Sequence, residues 1–111
     1  MTIHNLSQSV VLVELHREPG MPGDLKAAAD IIQQRGDCDL ILEFSDVDIM
    51  TSSSLAQLLR IRQLLLDSGH RLILCGVNSF TRSAFKVTGL EGIFELADDK
   101  AAASAELQVA G

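Results

Sequence analysis

The sequence predicts an α/β domain in which a mixed sheet of four or five strands carries helices beginning near Asp24, Ser53, Asn78 and Asp99. Three observations lead there. Short apolar runs of strand length alternate with segments whose apolar residues recur at helical spacing, and the connections between them are a few residues long. The runs at 39–44 and 71–75 are nearly continuous in apolar residues, as parallel strands covered on both faces require. The length of 111 residues, 47% of them hydrophobic, makes residues 1–111 one domain, able to bury roughly 65% of the surface its unfolded chain exposes.

Residues 10–15 are rich in β-branched side chains and end at His16-Arg17-Glu18-Pro19-Gly20, which reads as a strand followed by a loop. Residues 4–9 add an N-terminal edge strand that pairs with it through Ser7-Gln8. From Asp24 to Gln34, Leu25, Ala28, Ile31 and Ile32 recur at helical spacing. Asp24 is placed to cap that helix and Gly36 to end it. After the strand at 39–44, Leu55, Leu58, Leu59, Leu65 and Leu66 mark a second helix closing at Gly69. A strand at 71–75 follows, then a helix capped by Asn78-Ser79 and stopped by Thr88-Gly89. A short strand near 93–96 leads to a last helix, opened by Asp98-Asp99 and running through Ala110.

Composition narrows the function. The formal charge is −6, and Arg60, Arg62, Arg71 and Arg82 are scattered rather than clustered, which argues against binding a phosphate backbone. With four Phe and neither Trp nor Tyr, there is little on which single-stranded bases could stack, so no nucleic-acid partner is expected. No apolar run approaches the roughly 20 residues of a membrane span, and direct membrane insertion is not expected. The start, Met1-Thr2-Ile3-His4-Asn5, has no signal-peptide pattern, which points to the cytoplasm. Cys38 and Cys75 form no C-x-x-C and read as reduced, buried thiols. His4, His16 and His70 are isolated, so neither a metal nor another cofactor is expected. G-x-S-x-G, G-x-x-x-x-G-K-[ST] and G-x-G-x-x-G are all absent, and the chain is not expected to be an enzyme.

In open α/β sheets the loops leaving the carboxyl ends of the strands gather on one rim, where functional groups concentrate. Here those loops are 18–24, 45–54 and 76–79. The middle one carries four consecutive hydroxyls, Thr51-Ser52-Ser53-Ser54, at the point where a helix begins. One reading is capping, for which Ser54-Leu55-Ala56-Gln57 fits the S-x-x-Q box. The other is a contacting or modified serine, since a single hydroxyl suffices as a cap. The residues alone leave both open.

Several motifs recur in a familiar order. They are Leu40-Ile41-Leu42-Glu43-Phe44, Ser45-Asp46-Val47, Ile49-Met50, Thr51-Ser52-Ser53-Ser54-Leu55, Gly69-His70-Arg71-Leu72-Ile73-Leu74, Val87-Thr88-Gly89-Leu90 and Ile93-Phe94-Glu95-Leu96. The segment from Asp39 to Ala105 thereby resembles a STAS domain of the anti-sigma-factor-antagonist type, with its D-S-S-G-L helix start and L-x-x-T-G-L turn. The resemblance implies the STAS fold, a mixed four- to five-stranded sheet with four or five helices packed on it. It also implies that the second serine of D-S-S-G, here Ser53, is phosphorylated, with Ser52, Ser54 and Thr51 as alternative acceptors. The partners it implies are an anti-sigma factor that is itself a serine kinase, and a phosphatase. The docking face would comprise Asp24, Thr51, Ser52, Ser53, Ser54, Gln57, Asn78 and Ser79. Two positions depart from the pattern, Thr51 standing for Asp and Ser54 for Gly, and Pro19-Gly20-Met21-Pro22-Gly23-Asp24 replaces a G-E-L-D-like stretch. A second implied role is a STAS interaction subunit that is not phosphorylated, in a stress-signalling assembly or beside a lipid-transport ATPase.

Overall fold

The computed structural model describes residues 2–48 and 50–110, the last three by backbone alone. Among them, strands β1 (Thr2–Ser7), β2 (Val10–Glu14), β3 (Asp39–Glu43), β4 (Leu72–Cys75) and β5 (Glu95–Ala97) form one sheet in the order β1-β2-β3-β4-β5. Helices α1 (Met21–Arg35), α2 (Ser52–Asp67), α3 (Ser79–Val87) and α4 (Lys100–Ala110) connect or follow the strands. Strands β2 to β5 run parallel, and β1 pairs antiparallel with β2, so the sheet is mixed and has the larger of the expected strand numbers.

Alternation along the strands divides the core in two. Val11, Val13, Leu40, Leu42, Leu72 and Leu74 pack with Leu25, Ala28 and Ile32 of α1, Leu58, Ile61 and Leu65 of α2, and Phe85 of α3. Leu12, Ile41, Ile73 and Cys75 turn the other way, onto Ala103 and Leu107 of α4. Each fully buried Leu or Ile contributes on the order of 1.5–3 kcal/mol, so the central strands β3 and β4 anchor the fold from both sides. Both cysteines are free and buried, and burial, reinforced by Glu43, pushes the Cys75 thiol up to about 12.

Strand β1 is exposed along its length, and a bulge between Asn5 and Ser7 shifts its register. The Arg35 guanidinium, in the last turn of α1, donates to the Asn5 side chain and the Gln8 carbonyl and so ties the hairpin to the core. Helix α1 ends where the sequence predicts, with Gly36 left-handed at φ 74° and its N–H on the Ile32 carbonyl at 2.7 Å.

The start of α1 lies at Met21, three residues before the predicted one. Pro22 accounts for the shift: in a first turn its missing N–H and fixed φ suit the helix, so it opens the element it was expected to precede. Asp24 is therefore not the cap. It is only 9% exposed, accepts the His16 backbone N–H at 2.8 Å, and lies 3.0 Å from His16 Nδ1. Strand β5 begins at Glu95 rather than 93, because the Ile93 N–H closes a turn on the Leu90 carbonyl. No helix among the described residues is long and apolar enough to cross a membrane.

Candidate functional site

The loops after β2, β3 and β4 leave the same edge of the sheet and are rooted by backbone bonds across it, Leu15 N–H to the Glu43 carbonyl at 3.0 Å and Phe44 N–H to the Cys75 carbonyl at 2.9 Å. Gly76 allows the third loop to turn. Its φ is +69°, and a Cβ there would stand 2.7 Å from Glu43 Oε1 and 2.8 Å from Ser45 Oγ. The Glu43 carboxylate beneath it is buried and accepts both the N–H and the hydroxyl of Ser45.

Side chains then join loop to loop. Asn78 accepts the Thr81 N–H at 2.8 Å, capping α3, and its amide donates to the Val47 carbonyl at 2.9 Å. Arg17 pairs with Asp48 at 3.4 Å. The Glu18 carboxylate reaches from the first loop to the start of α2, where Oε1 accepts the Ser54 hydroxyl at 2.6 Å and lies 3.2 Å from Thr51 Oγ1 and 3.4 Å from Thr51 N.

The four hydroxyls separate into two pairs. Thr51 is the N-cap of α2 and accepts the Ser54 N–H at 3.1 Å. Ser54, in the third helical position, is 0% exposed. It lies on the line Ser54, Leu58, Ile61 and Leu65 that α2 turns to the core. The expected Ser54–Gln57 capping box thus gives way to a cap one turn earlier, and Gln57 Oε1 is buried without a hydrogen-bond partner. Ser52 and Ser53 occupy the first turn and both are exposed.

Of the other residues expected at a docking face, Ser79 is exposed and Asn78 half-buried on the same rim. Asp24 is turned inward, and burial pushes its carboxyl above the usual value. Ser54 is enclosed, which removes its hydroxyl from any surface role. Ile49 lies outside the described residues.

Two features escape the sequence reading. One is Glu18. The other is an apolar stripe on the outer face of α3, Phe80, Ala84 and Val87, with Phe80 78% and Val87 86% exposed. With Met50 and Asp48, Phe80 and Ala84 line a shallow cavity of about 240 Å³ that continues the rim. Its signal was present: Phe80, Ala84 and Val87 recur at i, i+4, i+7 on a side of the helix away from Phe85, so one core face could not bury them all.

A larger cavity, about 420 Å³, is at the opposite end of the sheet, lined in part by Ser9, Asp39, His70 and Arg71. Its polar groups bond one another. Asp39 Oδ1 accepts the Arg71 N–H at 2.8 Å and lies 3.2 Å from His70 Nδ1, while Arg71 pairs with Glu95 and, at 3.6 Å, with Glu106. Among the described residues, no three His, Cys, Asp or Glu side chains are grouped as a metal site would need.

Residues 24–103 match the STAS domain family. The fold is similar to the unphosphorylated form of the anti-sigma factor antagonist SpoIIAA, with a TM-score of 0.73 and 18% identity over 99% of this chain and 97% of that one. It is similar to the phosphorylated form of SpoIIAA, a Bacillus cell fate determinant, with a TM-score of 0.70 and 18% identity over 94% of this chain and 96% of that one. It is also similar to a sulfate transporter family protein from Wolinella succinogenes, with a TM-score of 0.75 and 21% identity over 97% of this chain and 93% of that one. At these identities the likeness is one of fold. No curated protein matches the chain in sequence.

Proposed function

The chain belongs to the STAS domain family, and on that premise we propose that it is a cytoplasmic anti-sigma factor antagonist, a binding module rather than an enzyme, switched off by phosphorylation of Ser53. One observation carries the reading: Ser52 and Ser53 project exposed hydroxyls from the first turn of α2, while the other two hydroxyls of the run, Thr51 and Ser54, are committed to the cap and to Glu18. In the unmodified state this rim, extended by Met50 and Phe80, docks on an anti-sigma factor with serine kinase activity. A phosphatase restores it after modification.

Phosphate adds about −1.5 to −2 charges, taking the formal −6 to roughly −8. A surface complementary to a neutral hydroxyl then meets a bulky dianion, and an unpaired charge at an interface costs several kcal/mol. Affinity changes while the fold persists.

Calorimetric titration with the partner kinase tests this. Ser53→Asp is expected to weaken binding at least about tenfold, roughly 1.4 kcal/mol. Ser53→Ala is expected to keep binding and to remove the phosphate that mass spectrometry detects after incubation with ATP. The Thr51 departure favours the second reading, a STAS interaction subunit that is not phosphorylated. Unchanged binding by Ser53→Asp, with no phosphate on residues 51–54, would establish that reading instead.

A further inference from the structure

The first turn of α2 contains no acidic residue of its own. The negative charge that a helix start favours comes instead from Glu18, 33 residues before Thr51 in the sequence. Its Oε1 is held by the buried Ser54 hydroxyl and faces Thr51, so it touches the residues on both sides of the Ser52-Ser53 pair. We infer that Glu18 is the positioning residue of the rim: it supplies the acid that residue 51 lacks, and an anion on Ser53 displaces it, so that modification moves the loop after β2 rather than α2.

This rests on the proposed role of Ser53 and extends it. Two anions cannot share one helix start without repulsion. The one on Ser53 is fixed by its covalent bond to a helix whose Leu58, Ile61 and Leu65 are locked in the core. Glu18 is fixed by hydrogen bonds in a loop, and it is the one that leaves. The moving segment is short, because the Leu15 N–H on Glu43 and the His16 N–H on Asp24 hold the loop on its upstream side, and the buried Met21 holds it downstream. What remains is residues 17–20, whose charged link to the neighbouring loop, apart from Glu18 itself, is the exposed Arg17–Asp48 pair among the described contacts, and such pairs hold weakly.

The test compares the full chain with E18Q, S53D and E18Q/S53D by amide NMR and thermal melting. Gln keeps the acceptor and removes the charge. In the parent background S53D is expected to shift the amide signals of Thr51, Arg17, Glu18 and Gly20 and to lower Tm by about 3 °C. In the E18Q background the same change is expected to leave those loop signals nearly in place and Tm within about 1 °C, the mark of two coupled sites. Equal loop shifts in both backgrounds, or shifts confined to residues 52–55, would overturn the inference. Partner titration separates the two ideas. If S53D weakens binding but moves the loop independently of Glu18, the switch stands and this inference fails. If S53D leaves binding unchanged while the coupling is present, the reverse holds.

Discussion

Both ends of the sheet collect polar side chains where strands meet loops, but the bonding differs. At the amino-terminal end, Asp39, His70, Arg71 and Glu95 satisfy one another around the larger cavity. At the carboxyl-terminal end, Glu18, Asn78 and Thr51 bond across three loops and leave Ser52, Ser53 and Phe80 facing outward, with Phe80 lining the smaller one. Cavity volume alone would choose the amino-terminal end, away from the proposed docking rim. Side chains left open beside a framework that others hold rigid are what mark a contact surface.

Three substitutions test that contrast. The largest effect is expected from Gly76→Ala, which forces a left-handed alanine against Glu43 and Ser45 at the root of the rim. It should cost about 2–3 kcal/mol, seen as a lower urea midpoint at unchanged slope. An unchanged midpoint would mean that the turn is not the constraint described. Next, Phe80→Ala should reduce affinity for the kinase-type partner about tenfold. Its stability should stay within about 0.5 kcal/mol, since an exposed side chain loses little packing on truncation. Full affinity in that variant would restrict the contact surface to α2. The smallest effect belongs to the opposite end: His70→Ala should cost at most about 1 kcal/mol and leave partner affinity untouched. A loss of affinity there would bring the larger cavity back into consideration.

The order of elements was legible because it rests on local periodicity. Val11 and Val13, Leu40 and Leu42, Leu72 and Leu74 alternate within their own strands, and no distant residue is needed to read them. The start of α1 is less legible, because Pro22 reads as a breaker unless the first turn is allowed to hold it. The hydroxyl run is plain in the sequence, being contiguous. Its division into exposed and buried members was also within reach, since Ser54 falls on the same helical line as Leu58, Ile61 and Leu65 while Ser53 falls beside it. Glu18 was not within reach. Its bonds to Thr51 and Ser54 span 33 and 36 residues, and only the closing of two βα units brings them together. The inward turn of Asp24 is hidden for a related reason, because it is the backbone of His16 that draws its carboxylate inward.

The side-chain bonds across the three loops also bear on time. A partner arriving at a rim already held in shape orders little on contact, so association should proceed at the common protein–protein rate of about 10⁵–10⁷ M⁻¹s⁻¹. The formal charge of −6 speeds a basic partner and slows an acidic one, more so at low salt. One added phosphate alters that approach only modestly. Its main effect would fall on how long the complex survives once formed, so the proposed switch at Ser53 would act as a timer on dissociation.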